Sequence, residues 1–253
     1  MTENEAALDP NDTVAQPPLS QIERVTNTFV APSKTFADIR RSRSWWLPFL
    51  LISIVGYIFA FAALHHVGID RVVDNVMKSN PKSYEKFQNM PAEQQAAGLK
   101  TTKAFMSGAF YAGPVLTLLF NAIIAGLLWI GFNFILGGKS SYGAMFAVGM
   151  FAWLPSILKS LFGTAMAFFS DAEGFNISDP VGTNIGFYLG NDSAAWLKSL
   201  LGSVDIFTLW TLFLLGIGGA IVSNVKTKSG LMLVFGAWLL FVVIKTGWAA
   251  ATS

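Results

Sequence analysis

The stretch "RRSRSWWLPFLLISIVGYIFAFAAL", Arg40 to Leu64, sets three arginines and a tryptophan pair directly against an uncharged run from Trp45 to Leu64. At ~1.5 Å rise per residue, a helix of that length crosses the ~30 Å hydrocarbon layer of a bilayer. Amphipathic tryptophan rings suit the water–lipid boundary, and Pro48 falls in the first turn, where its missing N–H costs little. The pattern predicts a first transmembrane helix over 45–64.

The rest of the chain agrees. With 53% hydrophobic and 13% charged residues and a mean hydropathy of +0.51, the 253 residues are too apolar for a single soluble core. The absence of cysteine excludes disulfides, thiolate metal sites and a cysteine nucleophile. A net charge of +2 gives no reason to expect nucleic acid as a partner. Residues 1–20 are polar and read as a disordered cytoplasmic tail. They lack the basic start and early apolar stretch of a signal peptide.

Four more spans follow. The uncharged run Ala104 to Leu136 divides at Gly113-Pro114 into a short lead-in helix and a second span over 114–136. After the turn "GGKSS", a third span covers 142–169 with a kink expected at Pro155. A polar loop, 170–195, precedes a fourth span over 196–223, and "NVKTKS" leads to a fifth over 230–251. The loop 65–103 places Ile69, Val72, Val73 and Val76 at helical spacing and predicts a small helical cap outside the membrane. The expected fold is therefore an all-α membrane protein, a five-helix bundle of 45–251.

Arg24, Lys34, Arg40, Arg41 and Arg43 precede the first span, and Lys139, Lys226 and Lys228 lie in short turns, whereas 170–195 is acidic. The positive-inside rule places the N-terminus in the cytoplasm, and five spans place the C-terminus on the opposite side. The loop 65–103 also carries basic residues, mixed with acidic ones, and the flank of the first helix outweighs it.

Between tail and membrane, 21–44 reads as an interfacial amphipathic elbow. Ile22, Val25 and Phe29 form one apolar stripe and Phe36 and Ile39 another, with Ser33 as the expected N-cap of the second short helix. Phe29, Phe36, Ile39, Trp45 and Trp46 are expected to face the membrane, with Arg40, Arg41 and Arg43 toward anionic lipid or a cytoplasmic protein partner.

The segments "FVAPSKTFADI", "WWLPF", "MPAEQQAAG" and "GGKSSYGAMFAVGMFAWLPSIL" resemble the bacterial branch of the YIP family, the Rab-interacting membrane proteins, over roughly Gln21 to Ala250. The resemblance implies a five-helix bundle with a cytoplasmic N-terminus and a role in organising membranes. Where the eukaryotic relatives carry an acidic Asp-Leu-Tyr-Gly-Pro-like signature, this chain has "FVAPSKTF".

No catalytic motif occurs, and the two adjacent histidines, His65 and His66, point about 100° apart on a helix and suit interfacial packing better than metal binding. The expectation is a protein without catalytic residues, metal or cofactor. The sharper signal is charge inside the spans, at Lys159, Asp205 and Lys245, each within about 10 to 16 Å of the expected outer surface. Two arrangements are open. Either Asp205 neutralises one or both lysines in an outer-half cluster, or the lysines snorkel separately and Asp205 is hydrated in a helix that starts later than residue 196. Asn121, Asn133 and Asn224 suit interhelical hydrogen bonds, and the pairs Ala122/Gly126 and Gly216/Ala220 permit close helix contact within the bundle or in a homo-oligomer. The functional expectation is a partner-binding or membrane-organising scaffold. The alternative is a transporter or binding protein for a lipid or small solute, with Pro114 and Pro155 as helix breaks around the charged cluster.

Overall fold

The computed structural model describes residues 17–78, 81–171, 175–190 and 193–252. Most of the expected tail (1–16), the Ser79-Asn80 junction, and Glu173 and Asp192 of the acidic loop lie outside the described residues. The helices are α1 (Gln21–Val30), α2 (Pro32–Ile39), α3 (Trp46–Ala62), α4 (Ile69–Lys78), α5 (Pro81–Gln88), α6 (Ala92–Tyr111), α7 (Gly113–Ile130), α8 (Tyr142–Ala152), α9 (Pro155–Phe169), α10 (Ala195–Ser203), α11 (Ile206–Ser223) and α12 (Thr227–Thr252). Five helical stretches have the length and apolarity to cross a membrane: Trp46–Lys78, Gly113–Ile135, Tyr142–Phe169, Ile206–Ser223 and Thr227–Ala251.

Several boundaries differ from the sequence reading, each for a local reason. The helix of the first span does not stop at Leu64, because the π-helical turn Ala63–Gly68 carries it into α4, where Val72 is buried with Ala62, Ala63, Ala167 and Phe175. The fourth span begins at Ile206 rather than 196, since α10 is a separate short helix and Asp205 N-caps α11. The fifth starts earlier, at Thr227. The break at Ala112 precedes Pro114, which sits in the first turn of α7. Around Pro155 the helix divides: α8 ends at Ala152, Trp153 and Leu154 form a tight turn, and Pro155 starts α9, where its absent N–H is not missed.

α8 and α11 form the centre of the bundle, and α3, α7 and α12 surround them. In the most apolar part of each span 61% of residues are buried for the fourth but only 17% for the fifth, which leaves α12 mostly to lipid. The inner contacts are close because the residues there are small. A Cβ on Gly218 would lie 2.8 Å from the Phe36 ring, and one on Gly219 would lie 2.4 Å from Phe132. Gly216 and Ala220 face Leu231 and Gly230 of α12, so this pair of small residues packs inside the chain. Asn121 is buried and donates to the Phe146 carbonyl at 3.0 Å, tying α7 to α8.

The apolar stripe of α2 turns into the bundle rather than away from the protein. Phe36 and Ile39 are fully buried in the main core, Phe36 against α11, and Phe29 is half-buried edge-on to Trp210 at 5.7 Å. Lipid tails are as apolar as a protein core, so an apolar stripe by itself does not choose between them. Polar groups fix the fold of the elbow itself. Arg24, only 2% exposed, meets Asp38, 6% exposed, at 2.6 Å from Nη2, and its Nε donates to the same carboxylate at 2.7 Å. Its Nη1 donates to the Ser42 carbonyl at 3.0 Å, and its own carbonyl accepts from Thr28 and Thr35, each at 2.8 Å. Ser33 is not the cap, because Ala31 occupies that position and Pro32 begins the helix. The start of α1 has a reciprocal cap instead. Glu23 Oε2 accepts the Ser20 N–H at 2.7 Å and Ser20 Oγ accepts from Glu23 N at 3.2 Å. The Ser20 backbone bond holds the Glu23 carboxyl below its ordinary value.

Removing one member of a buried pair strands the other, at a cost of about 3–5 kcal/mol, whereas replacing both with apolar residues of similar volume is close to neutral. Asp38→Ala is therefore expected to lower the thermal unfolding midpoint of the detergent-solubilised protein and to open the elbow to protease. The double variant Arg24→Met/Asp38→Leu is expected to recover most of both losses. Equal damage in the single and double variants would refute this account of the elbow.

Candidate functional site

Asp205 is the organising group at the end of the bundle opposite the elbow. It precedes the first residue of α11 with extended backbone, which is the N-cap geometry, and its Oδ1 accepts from Phe207 N and Thr208 N, each at 3.0 Å. The other oxygen, Oδ2, faces across the loop to Lys159 Nζ at 3.0 Å and also accepts from Thr183 Oγ1. Ile206 N donates to the Thr183 carbonyl at 3.2 Å, which pins the loop to the start of the helix. Asp205 is 3% exposed and lies just outside the span it caps. Burial pushes its carboxyl up, but the bonds from Thr183, Lys159 and the Thr208 amide outweigh burial and hold it below the usual carboxylate range.

Of the two arrangements left open by the sequence, the structure has the pairing of Asp205 with Lys159 and takes from the other only the late helix start. The helix starts later than residue 196, and the cap it acquires is the same carboxylate that meets Lys159. Lys159 also lies 4.0 Å from Asp179, whose other oxygen accepts from Asn184. Sequence reasoning missed Thr183, Asp179 and Asn184, because the loop 170–195 carries no period that would say which of its polar residues turn inward. Lys245 is not in this group. Lys245 is exposed, and its Nζ reaches Ser203 Oγ at 3.4 Å, at the end of α10 and two residues before Asp205.

The remaining residues sit elsewhere. Arg40, Arg41, Arg43 and Trp46 are exposed around the elbow's exit, while Trp45 is half-buried and packs edge-on to Phe146 at 5.0 Å. His65 and His66 stack on Phe61 and Phe168 at 4.1 and 4.0 Å, and among the described residues no three His, Asp or Glu side chains converge as a metal site. Pro114 and Pro155 flank an apolar cleft of about 480 Å³ lined by Ile52, Leu116, Thr117, Phe120, Trp153 and Ser156.

A family model described as the Yip1 domain matches residues 26–247. The chain is 27% identical over 215 residues to "Membrane protein YknW" of Bacillus subtilis (strain 168), across 83% of this chain and 84% of that one. No solved structure matches.

The double duty of Asp205 is separable by substitution. Asn keeps a cap acceptor but loses the charge, and Ala loses both, so Asp205→Ala is expected to be less stable than Asp205→Asn by about 1 kcal/mol. Lys245→Met is expected to leave the unfolding midpoint in detergent unchanged. Identical midpoints for the Asn and Ala variants would remove the capping role.

Proposed function

The chain belongs to the Yip1 domain family, and on that premise we propose that it is a non-catalytic scaffold of a bacterial cytoplasmic membrane, with the elbow α1–α2 as the surface that a protein partner contacts. The observation that carries this reading is the docking of the elbow. A segment whose two helices are locked together by the buried Arg24–Asp38 pair and seated on the core through Phe36 and Ile39 holds its outward residues in fixed positions, so a partner meets them without an ordering cost. Ile22 and Val30 are 73% and 75% exposed on α1, with Arg40 and Arg43 beyond them, a mixed apolar and basic surface.

In this reading the N-terminus is cytoplasmic. The support is that exposed Arg40 and Arg43 at the elbow and Lys139 of the turn before α8 gather at one end of the bundle. Arg24 no longer counts toward that charge, being neutralised by Asp38. With five spans, the C-terminus then lies outside, α4–α6 form the extracytoplasmic cap, and Trp46 and Arg43 lie at headgroup depth.

A second reading, binding of a lipid or small solute at the opposite end, is favoured by one observation: Asp179 Oδ1 is buried beside Lys159 without a hydrogen-bond partner among the described residues. Purification of the full chain from its native membrane in mild detergent, followed by mass spectrometry of what stays bound, separates the two. A protein retained at fixed stoichiometry by wild type and Asp205→Asn but lost with Ile22→Asp is the expected result. A lipid or solute held by wild type and lost with Asp205→Asn, with no stoichiometric protein, would replace the scaffold with the second reading.

A further inference from the structure

Three separate chain segments line one hollow of about 190 Å³ at the elbow end of the bundle, and two of them bring positive charge to it. Arg40 and Arg43 come from the elbow's exit, Lys139, Ser140 and Ser141 from the turn before α8, and Asn224 from the end of α11. No carboxylate lines it, and among the described residues none of the three cations forms an ion pair. Like charges gathered around a concave surface repel, and the field they focus is strongest inside the hollow.

The surrounding groups are donors. Ser141 Oγ accepts from Ala144 N at 3.2 Å as the N-cap of α8, which leaves its hydrogen free to donate into the hollow. The α8 N-terminus adds the positive end of an 11-residue helix. Arg43 is held over that terminus, since a Cβ on Gly143 would lie 3.4 Å from Arg43 Cδ. Asn224 adopts a left-handed conformation, φ 57°, that closes α11 and turns the chain beside the cavity. Two guanidinium forks, an ammonium and a hydroxyl present more donors than one carboxylate accepts, and they suit an anion with several oxygens around one centre. The hollow is several times the ~30 Å³ share of a single water.

We propose that this hollow is a binding site for a phosphate group, carried either by an anionic lipid headgroup or by a free phosphate. The site is independent of the scaffold reading and of which side of the membrane the elbow faces.

The test uses the full-length protein, delipidated in an uncharged detergent. Its thermal unfolding midpoint is followed while inorganic phosphate and, separately, a short-chain phosphatidylglycerol are titrated in, with short-chain phosphatidylcholine as the zwitterionic comparison. The expected result is a saturable rise with phosphatidylglycerol that phosphatidylcholine does not reproduce. A rise with inorganic phosphate as well assigns the site to the phosphate group alone, and a rise with the lipid only assigns it to a headgroup. Arg43→Gln and Lys139→Gln are each expected to weaken the half-saturation point about tenfold, the effect of losing one charge-assisted bond. Lys228→Gln, outside the hollow, is expected to leave it unchanged. Neither Arg43 nor Lys139 strands a partner when replaced, so both variants are expected to fold with unliganded midpoints at or above wild type. If one is not recovered, Arg40→Gln serves in its place. No rise with inorganic phosphate or with phosphatidylglycerol, an equal rise with phosphatidylcholine, or wild-type titration curves for the hollow variants, would overturn the proposal.

Discussion

Arg24 and Asp38 form the contact on which the elbow end of the molecule depends. They sit fourteen residues apart on the two helices of the elbow and lock one against the other, although lipid tails would receive Phe36 and Ile39 as readily as a core does. A buried, twice-bonded ion pair needs a partner in fixed geometry, and only the folded elbow supplies it. Beside the pair, Phe36 fills the space left by the missing side chain of Gly218. Arg40 and Arg43 then follow a chain whose direction is set, and they arrive beside the turn that holds Lys139.

The opposite end follows the same logic with different groups. Asp205 stops a helix and meets a cation at once, and the bundle gains a sealed corner where α9, α11 and the acidic loop converge. Asp205 and the arginines of the elbow sit where spans begin or end, whereas Lys159 and Lys245 lie within theirs and reach Asp205 and Ser203, and the amide of Asn121 pairs across helices. The division of the third span at Trp153-Leu154 fits this economy. The backbone groups released there close short bonds of their own, from Leu154 to Phe151 and from Ser156 to Trp153, and the break needs no water.

Much of this was legible in the chain. Twenty uncharged residues after three arginines make a membrane helix whatever surrounds them, because length and the cost of unpaired backbone in lipid leave no other solution. The breaks at Pro114 and Pro155 follow from a missing N–H, and the charges at Lys159 and Asp205 stood out because charge in a span is expensive. The signal for the elbow was present but weaker. Arg24 and Thr28, four apart, and Thr35 and Asp38, three apart, put polar groups on one face of each short helix, a sign of a polar interface that the apolar stripes obscured.

By itself, then, the sequence determined the number of membrane helices, their approximate limits, and the family, since each rests on local properties of hydropathy, turns and charge. Tertiary structure alone decided which apolar faces meet protein rather than lipid, that Lys159 and not Lys245 faces Asp205, and that Arg40, Arg43 and Lys139 share a hollow. The reason is physical. Burial in a membrane protein is not signalled by hydrophobicity, and the partner of a charge is fixed by which helices lie side by side, information that no single segment carries.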